Sequence, residues 1–181
     1  MNSISRLAVL LFCTAGVAQA ATPMKELGMP LGQRMQLPIA LCPSEGPARD
    51  ATSPCWLKQP TTLAGGIQSG SLVVPASAQG HTWATPGTYG AAIDRSGVLV
   101  AVTVHSARAD EFAKIRGALT ARLEKRLRSF NTDDQRRLAR WEWKDAVIDL
   151  NCGADVGCTT RFALSDREEE RLRQAMLLST R

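Results

Sequence analysis

The chain has little of what catalysis most often uses: two histidines, a single tyrosine, and no serine set in a G-x-S-x-G elbow. It also lacks a G-x-x-x-x-G-K-[ST] phosphate loop and an H-E-x-x-H metal helix. These absences exclude the common hydrolase, nucleotide-phosphate and zinc-protease signatures. His81, in "AQGHTWATPG", reads as a solvated loop residue, and His105, at the end of a strand-like run, as a residue that sits at a sheet edge or caps the neighbouring polar segment. Asp145 and Asp149 offer a carboxylate pair at strand spacing, but such pairs are common surface features and read as that here. No catalytic residue, metal ligand or cofactor site is assigned. Past the first residues no stretch approaches the roughly 20 apolar residues a membrane span needs.

What is there begins with "MNSISRLAVLLFCTAGVAQA". Arg6, an apolar run from Leu7 to Phe12, and small residues at Ala18 and Ala20 read as a secretory signal peptide over residues 1–20, cut after Ala20. Arg6 is the only charged residue in that segment, so its removal leaves 161 residues with 21 Lys+Arg against 17 Asp+Glu. That length fits a single domain over 21–181 with a real hydrophobic core. The mild positive balance permits acidic partners without demanding them.

Cys13 leaves with the leader, and Cys42, Cys55, Cys152 and Cys158 remain. An even number of cysteines in an exported chain points to disulfides, since the periplasm and the extracellular space are oxidising. Four cysteines allow three pairings; the preferred one joins nearest neighbours, Cys42 to Cys55 and Cys152 to Cys158, because each closes a polar loop. Neither pair has the two-residue spacing of a redox motif, and zinc would need more ligands than two histidines supply.

Residues 21–87 are loop-rich, with prolines at 23, 30, 38 and 43 and with "MQLPIAL" and "SLVVP" as short strands. From Thr88 the pattern sharpens. "TYGAAID", the turn "DRSG" and "GVLVAVTVHS" read as a hairpin with Val98, Val100, Val102 and Val104 on one face. "DEFAKIRGALTARLEKRLRSF", residues 110–130, spaces Phe112, Ile115, Leu119, Leu123, Leu127 and Phe130 by three or four, the stripe of an amphipathic helix. Gly117 within it suggests a close approach to the sheet. "NTDDQRRLAR" offers capping residues and a helical turn, and "WEWKDAVIDL" reads as one strand, joined through the Cys152–Cys158 loop to "TTRFALS". "SDREEERLRQAMLL", residues 165–178, carries the capping-box spacing Ser165 to Glu168 and reads as a second helix. The expected fold is α+β: an antiparallel sheet carrying two amphipathic helices, ββαββα-like in its C-terminal part and stapled by disulfides.

The segment from Arg108 to Lys144 holds 11 Lys+Arg against 6 acids. Arg136, Arg137 and Arg140 beside Trp141 and Trp143 define a candidate binding surface, because cations beside aromatics suit nucleic acid and polysaccharide. The reading preferred for these residues is a solvated helix face with both tryptophans packed in the core. "PLGQRMQLPIALCP", then "CW" at Cys55–Trp56 and the "DRSGVLVAVTVHS" strand, resembles a loose group of small, exported, functionally uncharacterised proteobacterial proteins; the resemblance implies export and a disulfide-stapled α+β domain and brings no activity. The expectation is a periplasmic or secreted, non-enzymatic protein-binding module of inhibitor or immunity type. The alternative is a binder of anionic polymer or of a membrane surface through the Arg/Trp region.

Overall fold

The computed structural model describes residues 25–26, 29–35, 39–43, 54–75, 83–84, 89–106, 108–123, 127–133, 136–143 and 145–166. The leader, His81 and the expected second helix past Asp166 lie outside them. Among the described residues the chain is mostly antiparallel sheet with one α-helix. Strands β1 (Lys25–Glu26) and β2 (Met29–Pro30) pair with each other. Then come β3 (Cys55–Trp56), β4 (Thr61–Thr62), β5 (Gln68–Val73), β6 (Tyr89–Ile93) and β7 (Leu99–Ser106), helix α1 (Phe112–Arg122), and β8 (Leu127–Thr132), β9 (Arg136–Trp143), β10 (Ala146–Gly153) and β11 (Gly157–Leu164). These strands form one sheet in the order β3-β5-β6-β7-β11-β10-β9-β8, with β4 beside β5.

The hairpins form where turn chemistry and alternation agree. Between β6 and β7, Asp94 Oδ1 accepts hydrogen bonds from the Ser96 and Val98 backbone N–H groups and from the Ser96 hydroxyl, at 2.9, 2.9 and 2.7 Å. Gly97 closes this turn at φ 85°, a left-handed conformation that a side chain would strain. The chain then alternates along β10: Ala146, Ile148, Leu150 and Cys152 are buried, whereas Val147 and Asp149 are half-buried and Asn151 is exposed. Register carries this inner face across the sheet, from Trp141 through Ile148, Phe162 and Val102 to Ala91, and from Ala139 through Leu150, Thr160, Val104 and Tyr89 to Leu72 and Trp56. At the thin end the Trp56 ring covers Gly70, where an added Cβ would lie 3.2 Å from the indole.

Helix α1 lies on the inner face and buries Phe112, Ile115 and Leu119, with Leu123 just after it. This is the first half of the expected stripe. The second half is a correction: the helix stops at Arg122, the Leu123 N–H returns to the Leu119 carbonyl, and Leu127–Thr132 becomes β8, with Leu127 opposite Trp141. Ladder hydrogen bonds to β9 outweigh continued helical spacing, so the ββαββα order gives way to four strands after the helix. Gly117 marks no close approach either, since a Cβ there would meet nothing within 4 Å. The expected helical turn in "NTDDQRRLAR" is the β8–β9 connection: Asp133 N–H donates to the Arg136 carbonyl at 2.9 Å, and its carboxylate accepts from the Arg136 N–H. "WEWKDAVIDL" is likewise two strands, parted before Asp145.

The N-terminal segment is tied in at two points. At the start of β7, Gly32 N–H donates to Leu99 O and Leu99 N–H donates to Gln33 O. Ala40–Cys42 runs parallel to β3, with Trp56 N–H donating to Ala40 O and Cys42 N–H to Trp56 O. Disulfides join Cys42 to Cys55 and Cys152 to Cys158, the nearest-neighbour pairing.

Candidate functional site: the stapled end of the sheet

Strand geometry divides the residues that the linear sequence groups. Successive side chains of β9 point to opposite faces, so Arg136 and Arg140 fall on the solvent face while Arg137, Trp141 and Trp143 share the inner one. Trp141 is 0% exposed, and Trp143 is half-buried against the core. The Trp141 ring is thus part of the packing under α1 and offers no stacking surface. Arg140 meets Asp149 across the β9–β10 pair at 3.4 Å, and Arg128 meets Glu142 at the same distance. Arg136 and Arg137 are exposed, and neither makes an ion pair among the described residues.

Register carries these two arginines to a place the sequence does not suggest. Arg136 lies opposite Gly153 and Arg137 opposite Cys152, at the base of the β10–β11 hairpin. That hairpin is closed by three exposed residues, Ala154, Asp155 and Val156. Cys152 and Cys158 are direct register partners, so the disulfide spans the neck of the tip, and both sulfurs belong to buried residues. Gly157 turns the chain back at φ 73°. Val156 is 83% exposed, yet its Cγ2 lies 2.9 Å from where a Cβ on Gly153 would stand. The bare glycine backbone is the seat on which the valine rests.

The other flank of the tip is the end of β7. Ser106, the register partner of Cys158, is buried and donates its hydroxyl to the Glu111 carboxylate, while Lys114 lies 3.6 Å from the same residue. This clamp fixes the start of α1 beside the disulfide. Arg108 and Asp110 pair outside it at 2.6 Å; the hydrogen bond and charge of Arg108 hold the Asp110 carboxyl below its ordinary range, and Asp110 in turn raises Arg108. His105 is not at a sheet edge. It sits on an interior strand, on the solvent face, opposite Thr159, whose Oγ1 is 3.4 Å from His105 Nδ1.

The site is therefore a disulfide-closed three-residue tip with an apolar point, two exposed arginines without an ion pair among the described residues on one flank and the Arg108–Asp110 pair on the other. Asp145 and Asp149 are not brought together as a catalytic pair: Asp145 lies in the turn before β10, and Asp149 serves Arg140. A lone valine in a polar loop, as Val156 is, carries no signal until the register of the crosslink is known. Comparison with protein-family models, with curated proteins and with solved structures finds no match.

Proposed function

We propose that the protein is an exported, non-enzymatic module that binds another protein, in the manner of an inhibitor or immunity protein, and that the stapled tip is its point of contact. One observation carries this reading: an apolar side chain 83% exposed on a hairpin closed by a buried disulfide. A segment held in one conformation before it meets a partner loses less entropy on binding, so more of its contact energy appears as affinity. Valine alone is a modest anchor. Arginines are enriched among the residues that dominate interface energetics, and Arg136 and Arg137 stand beside it. Export to the periplasm or beyond, with cleavage after Ala20, is supported by the two disulfides and by the signal-like start of the sequence. Among the described residues no helix is long and apolar enough to cross a membrane.

The second reading, binding of an anionic polymer or membrane surface, draws on the same Arg136 and Arg137, exposed and without an ion pair among the described residues, but without stacking from Trp141. Salt separates the two, because contacts to a polyanion weaken steeply as counterions are restored. The test is affinity capture by the tagged, disulfide-bonded protein from cell envelope and culture fluid, washed at low and high salt, alongside a Val156→Asp variant. One stoichiometric protein that survives high salt and is lost with Val156→Asp is expected. Capture of only nucleic acid, lipid or glycan, released by salt and indifferent to Val156→Asp, overturns the protein-binding reading in favour of the polymer.

A further inference from the structure

The solvent face of the sheet carries a second constellation, separate from the tip and independent of the protein-binding reading. β7 and β11 are interior strands, and their registers place Arg161 opposite Thr103 and Thr159 opposite His105. Directly opposed side chains have Cβ atoms about 5 Å apart, and the two pairs are separated by two residues along each strand, about 6.7 Å. The four side chains thus stand at the corners of a small rectangle facing water. Arg161 and His105 are exposed, and Thr103 and Thr159 are half-buried.

Every corner can donate a hydrogen bond: a guanidinium fork, an imidazole N–H and two hydroxyls. None is a carboxylate. The adjacent acid, Asp149, lies opposite Arg161 on β10 but is engaged 3.4 Å from Arg140 Nη1, and Arg161 makes no ion pair among the described residues. Asn151, opposite Thr159, adds a further exposed amide at the border. An interior strand of a large sheet thus displays a cation without an ion pair among the described residues, ringed by donors, and within the rectangle Thr159 approaches His105 to 3.4 Å. Donors at four corners of one small rectangle suit an acceptor with oxygens in several directions more closely than they suit a planar carboxylate.

We propose that Thr103, His105, Thr159 and Arg161 form a binding site for a tetrahedral oxyanion, phosphate or sulfate. Arg161 supplies the charge-assisted fork; the hydroxyls and the imidazole fix the group's orientation. Gly90 beside Thr103 puts no side chain at that border of the rectangle, whereas Ala101 and Ala163 in the neighbouring row are buried, so whatever the oxyanion is attached to extends toward the glycine side.

The test is a titration of the isotope-labelled, disulfide-bonded chain with sodium phosphate, sodium sulfate and sodium acetate at matched ionic strength, read by amide chemical shifts, with glycerol phosphate as a further arm. Saturable shifts confined to residues 103, 105, 159 and 161 and their neighbours are expected with phosphate and sulfate. Arg161→Gln should weaken the apparent affinity about ten-fold, Arg161→Lys less, and His105→Gln about three-fold, while Arg95→Gln, which removes the same charge from the β6–β7 turn, should leave it unchanged. Retention by glycerol phosphate assigns the site to a phosphate carried on a larger molecule, and loss assigns it to the free ion. Shifts that rise without saturating, that acetate reproduces, or that persist in Arg161→Gln overturn the proposal.

Discussion

Trp141 donates its indole Nε1–H to Thr120 Oγ1 at 3.3 Å, so the deepest side chain of β9 is hydrogen-bonded to the helix that covers it. A buried indole N–H without a partner is costly, and Thr120 of α1 supplies one. Thr120→Val should destabilise the protein by about 1 kcal/mol in urea denaturation. In a Trp141→Phe background the same substitution should cost close to nothing, because the donor is gone. Equal costs in both backgrounds would show that the bond contributes nothing and that Thr120 acts only by its shape.

Thr160 presents the opposite case. It is 0% exposed on the inner face between Leu150 and Val104, and its hydroxyl has no hydrogen-bond partner among the described residues. An orphaned buried hydroxyl costs about 1–3 kcal/mol relative to its solvated state. Thr160→Val keeps the branched outline and removes that cost, so it should raise stability by about 1 kcal/mol, seen as a higher urea midpoint with unchanged slope. A lower midpoint would mean that the hydroxyl is satisfied in solution, for instance by water.

Tyr89 is the chain's single tyrosine, 1% exposed, and burial pushes its pKa above the ordinary tyrosine value of about 10. The folded protein keeps a proton that the unfolded chain releases. The stability linked to this group is therefore whole below about pH 10 and is lost as pH climbs toward and through the raised value. Alkaline titration followed by near-ultraviolet absorbance should show phenolate appearing only together with loss of tertiary structure, and Tyr89→Phe should flatten the decline in stability above pH 10. Phenolate formation near pH 10 in a protein that keeps its near-ultraviolet circular dichroism would contradict this.

The parts of the fold that could be read from the sequence are those where several local signals coincide. Asp94, Ser96 and Gly97 specify one turn in three ways, β7 alternates, and Cys152 and Cys158 sit symmetrically about a glycine-flanked loop. The end of α1 could not be read, because Leu119, Leu123 and Leu127 continue the helical spacing while only the pairing of Leu127 with Trp141 makes a strand of the last. The Arg and Trp residues part for a related reason. Adjacent residues share a surface only in an irregular chain; in β9 the period of two sends Arg136 and Arg137 to opposite faces and Trp141 into the core. The Arg161 site could not be read at all, since Thr103 and His105 stand more than fifty residues from the strand that completes it.

The two disulfides differ in how far reductant can reach them, and the tip should inherit the difference. Cys152 and Cys158 are both buried, whereas Cys42 is half-buried beside Cys55. Thiolate attack needs access to sulfur, so mild dithiothreitol on the native protein, followed by alkylation and mass mapping, should open Cys42–Cys55 first and leave Cys152–Cys158 closed until the sheet itself opens. Loop-closure arithmetic assigns about 3 kcal/mol to the first bond and about 2 kcal/mol to the second. Stability alone would rank Cys42–Cys55 as the more important. The proposed contact reverses that rank: Cys152→Ser with Cys158→Ser should retain the fold, held by the β10–β11 ladder, yet lose capture of the partner, while Cys42→Ser with Cys55→Ser should lower the urea midpoint further and keep capture in whatever fraction remains folded. If both double variants bind alike at matched folded fraction, the crosslink at the neck stabilises the hairpin without preorganising its tip.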